Sequence, residues 1–327
     1  MKYMPLSICD SLSALEEYEL YRDDRYTNLL NELLIDDKKY LDVFNENYSD
    51  REFSKAFKDN INKSVSHQRK RGLKQDDAFL KVYHNYWTAS TIKSWSTSKQ
   101  VFTFDKDFYY MLQETPLEKI DVSVLKSLPF HTFYIDMENL ELGNNGKDIS
   151  GVFVHLLENS SYYMLFVLVC TSDLCISPHR WMLLKNMDFL DVDNRQIRQR
   201  FFCGIINAIL YLCAENKIVE ENLETKRTYR KSNIVRNKYS EIRKWDVAVR
   251  VGNVIRSYQK ESTNESVKAG SENRHSPRPH MRKGHWHRYR VGVGKKEIAI
   301  KWISPILVNG NKDSFIPVVI HKEGESS

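Results

Sequence analysis

The chain has 327 residues, of which 41% are hydrophobic and 12% aromatic, a composition typical of globular and not of disordered proteins. Its five cysteines are an odd number scattered along the chain, which favours reduced thiols over a disulfide framework or a thiolate zinc site. The apolar runs fall short of the ~20 residues of a membrane-spanning helix, and the N-terminus lacks a signal-peptide pattern. We therefore expect a cytoplasmic protein without a membrane partner.

Charge is distributed unevenly along the chain. The net charge is +6, but residues 226–301 hold 21 Lys and Arg against 6 Asp and Glu, whereas the rest holds 28 against 37. A basic C-terminal quarter beside an acidic body predicts an anionic partner for that quarter. A solvated linker without a ligand is the alternative.

Residues 1–118 are predicted to form a helical N-terminal region. Apolar residues recur at helical spacing in Leu12–Leu34 and, most regularly, in Asp76–Trp95. The basic, polar Ser64–Lys74 between them is predicted to be an exposed loop. Further predicted helices are Asp37–Phe44, Asp50–Ile61, Asp105–Leu112 and Pro116–Leu125.

Residues 119–222 are predicted to form a central α/β sheet domain. Aromatic and β-branched runs with short connectors indicate an antiparallel sheet of about four strands. The predicted strands are Phe130–Met137, Gly151–Leu157, Tyr162–Cys170 and His179–Leu184. The amphipathic Asn194–Ala214 is predicted to be the helix that covers this sheet, although its first turn carries arginines, which oppose the helix dipole.

Residues 223–275 are predicted to form a basic helix and a flexible linker. Trp245–Tyr258 has helical apolar spacing, whereas Glu261–Ser276 is rich in Ser, Asn and Glu and has too few apolar residues to fold alone. The linker sets apart residues 276–327, a C-terminal hairpin module rich in His, Arg and aromatic residues. The predicted fold class is thus α+β: a helical N-terminal region, a central mainly antiparallel sheet with a covering helix, and a basic C-terminal β-hairpin.

The hairpin prediction depends on a change to period-two patterning. In Lys296–Trp302, Ile298, Ile300 and Trp302 alternate with polar or small residues, which predicts a half-buried strand. His285–Val291 is its predicted partner, since the glycines that follow it supply the positive-φ positions of a tight turn.

RNA binding is the chemistry that this stretch supports most directly. Arg and Lys side chains neutralise phosphates, and aromatic rings between them offer faces for base stacking. The candidate RNA-binding residues are Arg278, Arg282, Lys283, Trp286, Arg288, Tyr289, Arg290, Lys295 and Trp302.

Three histidines leave other readings of the stretch open. His280, His285 and His287, with Arg282 or Lys283, have the proton-transfer groups and the cation of a metal-independent ribonuclease. A metal site is not predicted, because no nearby carboxylate or cysteine completes the ligand set and cations flank it. No cofactor is predicted. The remaining alternative is that these residues pack the hairpin on the body and the histidines bond backbone carbonyls.

The same stretch, RPHMRKGHWHRYRVGVGKKE followed by KWISPILVN, resembles the C-terminal signature of a type V-A anti-CRISPR family. Weaker resemblance covers Leu128–Asp136, Gly204–Cys213 and Trp245–Gln259. The resemblance implies an inhibitor that acts in the bacterial host cell and lowers production of a type V-A CRISPR effector nuclease.

The mechanism that the resemblance implies is recognition of the nascent N-terminal polypeptide of the effector during translation, with loss of its mRNA. The implied partners are that polypeptide and RNA or the translating ribosome, and a homo-oligomer is left open. The alternatives are a metal-independent ribonuclease, or a general RNA-binding protein of a mobile genetic element.

Overall fold

The computed structural model of the protein describes residues 4–12, 15, 17–36, 49–117, 120–144, 147–185, 187–189, 199–215, 217–221, 242–257, 280–304 and 306–308. The predicted helix Asp37–Phe44 and the predicted linker Glu261–Ser276 lie outside these residues. No helix among them combines the length and the apolarity that crossing a bilayer requires.

The helices are concentrated in the first third of the chain. They are α1 (Met4–Leu12), α2 (Tyr18–Tyr21), α3 (Asp24–Ile35), α4 (Arg51–Lys70), α5 (Gln75–Ser98), α6 (Lys106–Gln113), α7 (Arg200–Cys213) and α8 (249–257). Short 3-10 helices span Val122–Ser127, Glu138–Leu140 and Val293–Lys295.

The strands begin at the end of α5. They are β1 (Gln100–Phe104), β2 (Thr132–Asp136), β3 (Gly143–Asn144), β4 (Lys147–Glu158), β5 (Tyr162–Thr171), β6 (Ile176–Leu184), β7 (Val219–Glu221), β8 (Arg243–Val247), β9 (His280–Arg282), β10 (His285–Val291), β11 (Glu297–Ile303) and β12 (Ile306–Val308). The α+β class is confirmed.

Eight strands form one mixed sheet in the order β6-β5-β4-β2-β1-β8-β7, with β3 added to β4. The four predicted strands are present as β2, β4, β5 and β6, all antiparallel to their neighbours among these four. The prediction omitted β1, which pairs in parallel with both β2 and β8. The sheet therefore crosses the boundaries predicted at residues 118/119 and 222/223.

Both faces of the central strands are buried, which explains the continuous apolar runs of β4 and β5. Along β4, Val152 and Val154 face the layer that contains α6, α7 and the C-terminal hairpin, whereas Phe153 faces the N-terminal helices. The predicted covering helix is present as α7, which begins at Arg200; Arg195 and Arg198 lie outside the described residues.

Three predictions for the N-terminal region are wrong in detail, one of them the helix Pro116–Leu125, since the described residues there have only a 3-10 helix over Val122–Ser127. Ser64–Lys74 is not a loop, because α4 continues through Lys70 before the chain turns at Gly72. Leu12–Leu34 is not one helix but includes the end of α1, all of α2 and most of α3.

The predicted helix Trp245–Tyr258 is also wrong in its first part, since residues 243–247 form β8 and the helix α8 begins only at 249. Arg256 on α8 pairs with Asp105 and Asp107 at 3.0 and 2.6 Å. Gly252 is required at this contact, because a Cβ there would lie 1.9 Å from an Asp105 carboxylate oxygen.

A buried histidine gives the fold a predictable acid sensitivity. His155 on β4 is 2% exposed, and its Nδ1 lies 3.5 Å from Ser90 Oγ on α5. Burial, with a smaller contribution from His131, lowers the pKa of His155 to about 3. The imidazole is therefore neutral in the folded protein and takes up a proton when the chain unfolds.

We expect the free energy of unfolding to fall, through His155, by about 1.4 kcal/mol per pH unit below the unfolded pKa of ~6.5. The decrease continues towards the folded pKa of about 3 and is absent above pH ~7. Urea unfolding between pH 7 and 5 measures this slope, which His155→Gln should reduce. The exposed His287→Gln is the control and should leave the slope unchanged, and an unaltered slope in His155→Gln would contradict the assignment.

Candidate functional site

The C-terminal hairpin pairs all seven residues of β10 with all seven of β11 in antiparallel register. Gly292 and Gly294 at its tip have φ values of 77° and 69°, which glycine adopts most readily. The predicted hairpin is confirmed. Opposite residues share a face, so the register divides the side chains into two sets.

One set, which we call the inner face, packs against the body of the protein. Its core members are Trp286, Ile298, Ile300 and Trp302. The Trp302 side chain is 2% exposed, and its ring meets Phe108 and Tyr211 edge-on at centroid distances of 4.8 and 6.4 Å. The expectation that Trp302 offers a stacking face to RNA is therefore wrong, because its ring is buried by the body.

A buried amide anchors the inner face. Asn207 of α7 is 0% exposed, and its Nδ2 donates to the carbonyl oxygens of Leu112 and Thr115, at 2.8 Å each. The Trp286 Nε1 donates to Asn207 Oδ1 at 2.7 Å. One side chain thus joins α7, the end of α6 and the hairpin. Sequence reasoning missed Asn207 as a site residue; the signal was a lone amide in an apolar helix, which needs partners when buried.

The other set, which we call the outer face, includes His285, His287, Tyr289 and Lys301, beside Val291, Glu297, Ala299 and Ile303. Both imidazoles and Lys301 are exposed, and Tyr289 is half-buried. The rings of His287 and Tyr289 lie nearly parallel, 15° apart with centroids at 6.1 Å, and Lys301 Nζ lies 4.9 Å from the Tyr289 centroid. The outer face therefore combines a cation with stacked aromatic rings.

Glu215, just after α7, holds the outer face in place. The Tyr289 hydroxyl donates to the Glu215 carboxylate, and the Glu215 backbone N–H donates to the Ile300 carbonyl oxygen at 3.1 Å. Burial, followed by the bond to Glu215, raises the pKa of Tyr289. The phenol therefore stays protonated and its ring orientation is fixed.

Most of the other predicted RNA-binding side chains are exposed on the hairpin or beside it, and the register puts Arg288 and Arg290 on the same face as Trp286. The exposed cations are Arg282, Lys283, Arg288, Arg290 and Lys295. Lys283 Nζ is 4.0 Å from Glu114, a carboxylate that also pairs with Arg200 at 2.8 Å. Arg278 and the side chain of His280 lie outside the part of the chain that the structure describes. The structure therefore brings His285 and His287 to one face of β10.

Metal ligation has no geometric support in the described ranges, where no three His, Cys, Asp or Glu side chains converge. Burial raises the pKa of Cys213 to about 12 and also raises that of Cys203, so neither is a ready thiolate. The chemistry of the site is that of imidazoles, a phenol and cations.

Comparison with known proteins then identifies the family. The model of the AcrVA2-like family, described as the Anti-CRISPR type V subtype A2 family, matches residues 102–310, which is more than half of the chain. The chain belongs to this family. Membership indicates a partner related to a type V-A CRISPR effector.

Two individual proteins are similar over most of their length. Protein FinQ of Escherichia coli is 23% identical over 270 residues, which cover 69% of this chain and 77% of FinQ. The crystal structure of AcrVA2 has a TM-score of 0.47 and 17% identity, covering 76% of this chain and 86% of that one. The part that matches the subtype A2 family includes the sheet, α7 and the hairpin, whereas α1–α5 precede it.

Proposed function

We propose that this anti-CRISPR protein lowers production of a type V-A effector nuclease during translation. The body recognises the nascent N-terminal polypeptide of the effector, the C-terminal hairpin engages RNA of the translating ribosome or the message, and the mRNA is lost. Family membership supports the target class. The observation that carries the RNA step is the outer face, where exposed cationic and aromatic groups stand on a strand pair that is docked to the body.

The chemistry of the outer face suits single-stranded RNA. The Lys301 ammonium neutralises phosphate on the outer face, while Arg288 and Arg290, exposed on the other face of β10, add positive charge to the hairpin. His287 and Tyr289 are already parallel, so a base can extend the stack without their reorganisation. Because Asn207 and Glu215 hold the hairpin from both sides, this surface is ordered before RNA binds.

The edge of the sheet at β6 is the surface that best suits an extended polypeptide. β6 ends the strand order, and in the described part of the chain it has a strand partner on one side only. Met182 and Leu184 are 55% and 36% exposed on one face of this strand. An unfolded nascent chain can pair with such an edge through its backbone and place alternate side chains on the apolar face.

Aromatic side chains of α5 border the same face of β6. Arg180 Nη1 donates to the Tyr83 hydroxyl at 2.8 Å, and Arg180 Cζ lies 4.5 Å from the Trp87 centroid. The apolar gap among α3, α4 and α5 is a poorer site, since its cavity volume of about 20 Å³ holds about one water molecule. We therefore assign peptide recognition to β6 and the aromatic border.

Co-purification from cells that translate the effector tests this function. We expect the protein to capture effector peptide and mRNA only when the first few dozen codons of the effector are present. Met182→Asp with Leu184→Asp should abolish the capture. Val249→Asp, a change at a 42% exposed residue of α8, should retain it. Capture that does not depend on those codons would contradict nascent-chain recognition and favour a general RNA-binding protein.

A ribonuclease is the second candidate, because two exposed imidazoles share the outer face. Cleavage at a 2′-hydroxyl needs one group that accepts a proton and one that donates it, and two histidines provide both. The purified protein should then cut RNA without metal, and alanine at His280, His285 and His287 should abolish the cutting. Unchanged mRNA loss with this triple variant would exclude the histidine nuclease.

A further inference from the structure

The corner between α4 and α5 carries a cluster of cations that the hairpin function does not use. We call this cluster, with the cleft beside it, the α4–α5 corner. Its exposed cations are Arg69, Lys70, Arg71 and Lys74. None of the four side chains forms an ion pair within the described part of the chain, whereas nearby Lys63 and Lys93 pair with Glu19 and Asp24 at 3.3 and 2.6 Å.

The helix dipole explains only part of the cluster. Cations in the last turn of a helix stabilise it, which accounts for Arg69 and Lys70. Arg71 and Lys74 lie beyond that turn. Asp76 and Asp77 begin α5 at the same corner, but they form no ion pair with these cations, and the corner keeps an excess of positive charge.

A cleft of about 570 Å³ opens beside these cations. Its wall holds Arg69 and Lys70 but no carboxylate. The remaining polar side chains of the wall are Asn62, Ser66 and Gln75, and its apolar part includes Leu73 and the half-buried Phe79. The volume lies within the range of about 300–1,000 Å³ that is usual for ligand sites.

We propose that the α4–α5 corner is a second binding site for single-stranded RNA. Cations meet the phosphates, the neutral amide and hydroxyl groups meet the ribose and base edges, and Phe79 offers a ring to a base. An acidic protein segment would use the cations but neither the aromatic ring nor the neutral donors.

An anionic membrane fits the corner less well than RNA. Membrane-surface helices turn an apolar face towards the lipid. The apolar face of α4 is instead buried in the protein, through Phe53, Phe57, Ile61 and Val65. A concave wall with two cations and no carboxylate also suits an anionic chain that enters it better than a flat lipid surface.

The corner lies outside residues 102–310, the part that matches the family. This site thus goes beyond the proposed hairpin function, and it does not require that function to be correct. The corner and the hairpin share no residues, so a variant of one leaves the other unchanged. Failure of the corner proposal can therefore be told apart from failure of the hairpin function.

The test measures binding of fluorescein-labelled oligouridine to the full chain over a range of salt concentrations. Arg69→Gln with Lys70→Gln should weaken binding about tenfold and reduce the slope of log K against log salt by about 1.4, or about 0.7 per lost phosphate contact. Arg51→Gln with Lys55→Gln is the matched control, because it removes the same charge from exposed positions at the other end of α4. The control should bind like the unmodified protein.

A hairpin variant separates the two sites. When Lys301→Ala is combined with the corner variant, the fold-losses in RNA affinity of the two variants should multiply. Changes at sites that contact RNA independently have additive free energies. Equal binding by the corner and control variants would overturn the proposal, whatever the hairpin variant does. Binding to phosphatidylglycerol vesicles but not to oligouridine, lost in the corner variant, would overturn it in favour of a membrane contact.

Discussion

Asn207→Leu is expected to lower the free energy of unfolding by about 3 to 5 kcal/mol and to release the C-terminal hairpin from the body. Leucine fills a similar volume but cannot donate to the carbonyl oxygens of Leu112 and Thr115 or accept from Trp286. The Trp286 indole therefore loses its acceptor and both carbonyl oxygens lose an amide donor, although Leu112 O still accepts from the Thr115 N–H at 3.1 Å. Urea unfolding measures the loss of stability, and hydrogen exchange of the β11 amides measures the release.

Two tryptophan variants test whether the loss acts through the hairpin. Trp286→Phe should cost about 1 to 2 kcal/mol and speed β11 exchange, since it leaves Asn207 Oδ1 without its indole donor. Trp245→Phe removes a comparable indole bond, 2.8 Å to Gln100 Oε1, between two strands of the large sheet and should leave β11 exchange unchanged. Equal β11 protection in Asn207→Leu and the unmodified protein would contradict the anchoring role of this amide.

Removing three cations from the hairpin is expected to weaken binding of single-stranded RNA about 100-fold. The variant is Arg288→Ala, Arg290→Ala and Lys301→Ala, all at exposed positions. The slope of log K against log salt should decrease by about 2, since each phosphate contact on single strands contributes about 0.7. Fluorescence anisotropy with labelled RNA at several salt concentrations measures both quantities.

The matched control removes three exposed cations elsewhere, by alanine at Arg51, Lys55 and Arg243. It should bind RNA within about twofold of the unmodified protein. If the control and the hairpin variant lose affinity equally, RNA affinity depends only on the net charge of the protein and the hairpin is not a specific site. Tyr289→Phe, which keeps the ring but not the bond to Glu215, should retain most of the affinity.

Local patterns were sufficient to predict the hairpin and the antiparallel strands, because their periodicity and turns lie within short stretches. The partners of β1 come instead from residues 132–136 and 243–247. β1 has only five residues between two helices, which is too few for its sequence pattern to indicate a strand. Its parallel neighbours are not joined to it by a tight turn, so no turn motif predicts the pairing. The same reason explains why β8 was assigned to a helix.

The site residues, too, could be predicted only in part from the sequence. Alternation correctly placed Trp302 on the same face as Ile298 and Ile300, but it did not reveal that α6 and α7 bury this face. Asn207 was visible only as an interruption in an apolar run, because its partners are 79 to 95 residues away in the chain. Ser64–Lys74 was mistaken for a loop because its first residues are polar, although cations at the end of α4 suit the helix dipole.

The central claim is that the effector polypeptide, and not the sequence of its message, triggers the loss of mRNA. The most direct test is the abundance of effector mRNA in cells that make this protein, for two recoded versions of the first few dozen codons. Synonymous recoding keeps the peptide and changes the RNA, whereas a compensated frameshift changes the peptide and nearly keeps the RNA. We expect mRNA loss to persist with synonymous recoding and to disappear with the frameshift. Loss that disappears with synonymous recoding and persists with the frameshift would show that the message itself is recognised.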